Sequence, residues 1–139
     1  MYIKIIDGTP KSYTLRQLRA DYPQTSFPER PSDEVLAHYG VYTVKESPKP
    51  AYDSRVHYLR QSEFYQVGDE WRVHWTPERL PNAGKNVREE RDRLLSQSDW
   101  TQLADAQVDK SAWAAYRQAL RDIPAQPGFP FEVVWPVKP

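Results

Sequence analysis

Hydrophobic and polar residues alternate most cleanly from Trp71 to Thr76. Trp71, Val73 and Trp75 fall on one side and Arg72, His74 and Thr76 on the other, the two-residue period of a strand lying on a core. Phe64, Tyr65 and Val67 come just before, and Gly68-Asp69 between the two runs has the length and chemistry of a hairpin turn. Val56 and Tyr58 alternate in the same way upstream, so an antiparallel β-meander is predicted here. Val41–Val44 forms a further strand, and Tyr2–Ile6 a short first one closed by Asp7-Gly8. Two short helices come between. Thr14-Leu15-Arg16-Gln17 has the pattern of a capping box, Leu15 and Leu18 supply an apolar stripe, and Pro23 stops the helix. Ser32 is a good N-cap with Asp33 and Glu34 in the first turn. Val35, Leu36 and Tyr39 are expected to be its buried side, and Gly40 stands where a left-handed residue closes a helix.

After Pro81 the period changes. Asn82–Lys85 reads as a linker and Asn86-Val87-Arg88-Glu89 as a second capping box. The helix it opens carries Val87, Leu94 and Leu95 on one side and charges from Arg88 to Arg93 on the other, with Glu89 able to pair with Arg93. Ser98-Asp99-Trp100 breaks it. Asp109 caps a last helix with Trp113, Tyr116, Leu120 and Ile123 at helical spacing, ended by Pro124. The ending, Phe129 to Pro136, reads as extended, and its prolines confine it to a sheet edge or to a docked tail. The expected fold is α+β: an N-terminal module of short helices and an antiparallel meander (1–81), then a helical hairpin with an extended edge tail (82–139). The helical pair is too small to hold a core alone.

Charge narrows the function. Nineteen basic residues balance nineteen acidic ones, so no basic field exists to hold a phosphate backbone or an anionic membrane. No apolar run approaches the roughly 18 residues that span a bilayer. Met1-Tyr2-Ile3-Lys4 lacks the pattern of a signal peptide, which leads us to expect a protein that stays in the cell that makes it. With no cysteine, disulfides and thiolate chemistry are excluded.

Catalytic patterns are absent. His38, His57 and His74 have no second ligand at metal spacing. The adjacent carboxylates Asp33-Glu34, Asp69-Glu70 and Glu89-Glu90 diverge rather than face each other. No glycine-rich phosphate loop or nucleophile elbow occurs. No catalytic residue, cofactor or metal site is assigned. What stands out is aromatic: five Trp and nine Tyr, residues that serve equally as core and as anchors for a partner.

Several stretches in the second half occur together and in order: Ser98-Asp99-Trp100-Thr101-Gln102, then Trp113-x-x-Tyr116-Arg117-x-x-Leu120-Arg121-Asp122-Ile123-Pro124, then Gly128-Phe129-Pro130 and Trp135-Pro136. Over residues 87–139 this resembles the C-terminal module of phage tail assembly chaperone proteins, with Ala104 departing from the proline such modules often carry before Asp105. Leu15-Arg16-Gln17-Leu18-Arg19, Ser26-Phe27-Pro28 and Leu36 to Tyr42 resemble the segments that commonly precede it. The resemblance implies a phage tail or tail-fibre protein as partner, action in the host cytoplasm during assembly, and no enzymatic chemistry. Trp100, Trp113, Tyr116, Phe129, Phe131 and Trp135 are the expected partner-binding residues. A structural adaptor retained in the virion is the alternative. A carbohydrate-binding module using Trp71, Trp75 and Tyr58 ranks below both, since those aromatics read better as the core side of a sheet.

Overall fold

A computed structural model describes residues 1–139. It is a mixed α and β structure. The strands are β1 (Tyr2–Ile6), β2 (Thr9–Tyr13), β3 (Val41–Lys45), β4 (His57–Val67) and β5 (Glu70–Arg79). The helices are α1 (Leu15–Asp21), α2 (Asp33–His38), α3 (Ala83–Gln97) and α4 (Lys110–Asp122). The strands form one sheet in the order β2-β1-β3-β5-β4. β1 is antiparallel to β2 and β3, but β3 runs parallel to β5, through Val44↔Trp71 and Lys45↔Arg72. The sheet is therefore mixed, with β4 at one edge, and the runs at Tyr58 and at Phe64–Val67 fall within the single strand β4. Alternation tells which side chains share a face and not which strand lies beside which.

The chain divides into two compact units, residues 1–50 with 60–76 and residues 51–59 with 77–139. The second thus takes in 51–59 and 77–81, which the sequence division gives to the front module. In the first unit, Asp7 and Gly8 take positive φ (50° and 74°), which lets β1 turn directly into β2. β2 has little alternation to announce it, and its Pro10 is tolerated because β2 is an edge. Gly68 and Gly40 also take positive φ, the first in the two-residue β4–β5 turn and the second after α2. The capping box of α1 is formed, with Gln17 N donating to Thr14 Oγ1 (3.1 Å) and Thr14 N to Gln17 Oε1 (2.9 Å). One side of the sheet buries Tyr13 and Val41 with Leu18 of α1 and Leu36 of α2. The other buries Ile3, Val44 and Val73 beneath Trp71 and Trp75. Val35, expected in the buried side of α2, faces solvent instead: a helix of six residues turns little more than one apolar position inward.

In the second unit α3 begins at Ala83, so the predicted linker is helical. The second capping box does not form. Asn86 lies inside the helix and its Nδ2 donates to the carbonyl of Arg55 (2.8 Å), while Glu89 pairs with Lys85 and Arg93 with Glu90. β5 also continues past Pro77 to Arg79. β3 pairs with β5 only at Trp71 and Arg72, so beyond them a missing N–H on that flank costs no ladder bond. Val56, Ala83, Val87, Trp113, Tyr116, Leu120 and Ile123 form the core of the unit. The tail joins no sheet, which corrects the expected edge segment: it docks on this core through Phe129, Phe131, Val133 and Trp135.

Candidate protein-binding face

The second unit's apolar stripe on α4 runs Trp113, Tyr116, Leu120 and Ile123. Arg117 falls within the same stripe and is buried with it. A buried guanidinium must find acceptors. Arg117 Nη1 donates to the Leu95 carbonyl (2.6 Å) and to Ser98 Oγ (2.7 Å), and Nη2 to Asp99 Oδ1 (2.8 Å). Ser98 ends α3, and its Oγ lies within bonding distance of the Leu94 and Leu95 carbonyls. Thr101, fully buried, donates from Oγ1 to the Ser98 carbonyl (2.6 Å). These bonds fix a 3-10 turn, Asp99–Gln102, in place. Lys110 Nζ ties down the following loop through the Thr101 and Leu103 carbonyls.

The turn presents Trp100 outward at 51% exposure, with Leu103, three residues on, at 59%. Trp100 rests one edge on Trp113, with ring centroids 6.1 Å apart, and Lys138 Nζ of the tail sits 5.7 Å from the same Trp113 ring.

The tail is held by a second set of contacts. Arg88 stands 4.8 Å from the Phe129 ring, Arg79 4.4 Å from Phe131 and Arg55 5.0 Å from Trp135. Each cation over a ring contributes about 0.5–1 kcal/mol at such half-exposed sites. Arg55 is in turn held by both oxygens of Asp53, at 2.9 and 3.2 Å from Nε and 2.9 Å from Nη2. Those hydrogen bonds hold the Asp53 carboxyl below its ordinary range. Gly128 is required by close approach: a Cβ there would stand 2.3 Å from the Glu132 carbonyl oxygen. One bond further on, the Phe129–Pro130 peptide is cis. Gln126 then grips Val134 like a strand partner, its Oε1 accepting from Val134 N (2.8 Å) and its Nε2 donating to Val134 O (2.9 Å).

The six expected partner-binding residues thus separate. Trp113 and Tyr116 are buried core. Phe129, Phe131 and Trp135 are half-buried against that core by the tail's own docking. Trp100 alone among them is mainly exposed.

Residues 84–139 match the family model described as phage tail assembly chaperone protein. The match takes in nearly all of α3, the 3-10 turn, α4 and the whole tail, so it covers the elements that set Trp100 outward and the tail itself. No curated protein and no solved structure matches the chain.

Sequence reasoning missed Arg117, Gln126 and the packing role of Gly128. The first left a signal: a charged residue at i+4 from Trp113 and i−3 from Leu120, squarely on the buried stripe. The Gln126 clamp left none. No helix is long and apolar enough to cross a membrane, and no group of three or more His, Cys, Asp or Glu could hold a metal ion.

Proposed function

We propose that the chain is a non-enzymatic assembly protein of a bacteriophage tail, which binds a tail or tail-fibre protein in the host cytoplasm, shields an apolar patch on it, and then departs. The observation that carries this is Trp100, a large aromatic more than half exposed on a turn fixed by a buried arginine. Rigid exposed aromatics are the usual anchors of protein interfaces. The family match over residues 84–139 supplies the kind of partner.

The size of the anchor favours a transient contact. Burying the rest of a Trp, about 100 Å², yields about 2.5 kcal/mol at 25 cal/mol per Å². Micromolar binding needs about 8 kcal/mol, so Leu103 and further contacts must contribute. The sugar-binding alternative is disfavoured by packing: Trp71 and Trp75 cover the Ile3, Val44 and Val73 cluster, and Lys49 Nζ stands 4.7 Å over the Trp75 ring.

The test compares purified phage particles with infected-cell lysate by quantitative mass spectrometry. Abundance in the lysate and absence from particles is the expected result. A fixed ratio to a tail protein in particles makes the chain a structural adaptor and overturns the transient reading.

A further inference from the structure

We infer that the free edge of the docked tail, at Val133 and Trp135, is an acceptor for an extended strand of the protein being assembled. This rests on the binding reading above and names the kind of surface the partner offers.

Phe131 and Glu132 lie in the turn that follows the cis peptide; beyond it, from Val133 to Trp135, the chain is in neither helix nor turn and exposure alternates half-buried, exposed, half-buried, as in an extended chain. Phe131, Val133 and Trp135 pack on the core, while Glu132 and Val134 point to solvent. In such a chain backbone groups alternate sideways as well. One flank is occupied: Val134 spends both its N–H and its C=O on Gln126 (2.8 and 2.9 Å), just past the turn that Glu132 N closes on the Gly128 carbonyl. By the same period the N–H and C=O of Val133 and Trp135 point to the other flank, where they make no hydrogen bond within the chain.

That flank offers two donor–acceptor pairs about 6.8 Å apart, the repeat of a strand, and another extended backbone is the partner that matches this repeat. Proteins ordinarily guard such edges with charge or proline on the pairing side. The two edges of the sheet follow this rule, β2 with Pro10 and Lys11 and β4 with Arg60 and Glu63. The stretch Val133-Val134-Trp135-Pro136-Val137 carries no charge, and Val134 and Val137 are 76% and 91% exposed. Pro136, two residues on from Val134, falls on the flank already taken. An unguarded, apolar, extended edge held rigidly on a core is what strand addition uses. With two residues available, pairing is short and reversible.

The experiment is amide exchange by NMR on the full chain, titrated with a lysine-flanked peptide of alternating Thr and Val, with an Ala-rich helical peptide as control. The expected result is slowing of exchange at Val133 and Trp135 by roughly tenfold or more, the protection given by a hydrogen bond formed in most of the population. Val134 stays unchanged and the helical peptide has no effect. Exchange at Val133 and Trp135 that ignores the strand peptide overturns the inference. So does protection that rises with protein concentration before peptide is added, since the occupant is then a second copy of the chain. A Trp100→Ala variant in co-expression with the tail-fibre protein keeps the two ideas apart. If that substitution lowers soluble fibre protein while the strand peptide gives no protection, the edge inference falls and the binding reading stands. If the substitution also changes nothing, the Trp100 reading falls with it.

Discussion

The guanidinium of Arg117 in α4 caps the carbonyl of Leu95 at the end of α3, at 2.6 Å. One side chain thereby closes the C-terminus of a neighbouring helix, where a cation also meets the negative end of the helix dipole. The Ser98-Asp99 and Trp-x-x-Tyr-Arg stretches are two halves of this one contact.

Arg117→Met should therefore destabilise the chain by about 2–3 kcal/mol, because it removes the hydrogen bonds that a buried, charged donor makes to the Leu95 carbonyl and Ser98 Oγ. Asp99→Asn should cost less, since Asp99 is 66% exposed and returns easily to water. Urea unfolding of the two variants checks the order; equal losses would mean that the ion pair, and not the capping of α3, carries the stability.

Trp100→Ala should leave stability within about 1 kcal/mol, as for a surface change that removes only an edge contact with Trp113. The same substitution should lower the yield of soluble tail-fibre protein on co-expression. A normal yield with an intact fold would remove Trp100 from the binding face.

Gly128→Ala should detach the tail, since the new Cβ meets the Glu132 backbone at 2.3 Å for its carbonyl oxygen. Overpacking of this kind costs about 1–3 kcal/mol. Faster amide exchange at Val134 is the readout. Gln126→Ala should speed the same amide with a smaller effect on the melting temperature, as it removes the clamp without a clash.

Acid should loosen the tail at Trp135. The folded pKa of Asp53 is depressed from its ordinary 3.8 by its bonds to Arg55, so its contribution is complete above that value. It is lost as the pH falls through the depressed folded value, and Arg55 over the Trp135 ring then loses its orienting partner. The indole NMR signal of Trp135, followed downward from pH 5, should move in this range. Asp53→Asn should abolish that movement and resemble the acid form at neutral pH.

The local features could be read from residues alone. Thr14 with Gln17, Ser32, Asp109, Asp7-Gly8 and Gly68 each act through neighbours three or fewer positions away, and each does what its chemistry dictates. Asn86 shows where that reasoning fails: its pattern suits a cap, but the helix had already begun at Ala83 and the side chain was claimed by Arg55, thirty-one positions back. The parallel pairing of β3 with β5 is equally non-local. The aromatic residues were legible as important, but their roles were not. Whether Trp113 or Trp100 faces water depends on where Arg117 pins the turn between them.

The core that the tail covers is not drawn from one continuous stretch. Val56, almost wholly buried, packs among the residues of α3 and α4, and Leu80 N donates to its carbonyl (2.8 Å). Arg55 and Arg79, which stand over Trp135 and Phe131, also lie before Gly84. A gene exchange that joined a new front half at residue 84 would import the sequence signature and leave behind the buried valine and two of the three arginines that hold the tail. Inheritance of this unit as a working part has to bring the base of the β4–β5 hairpin along with it.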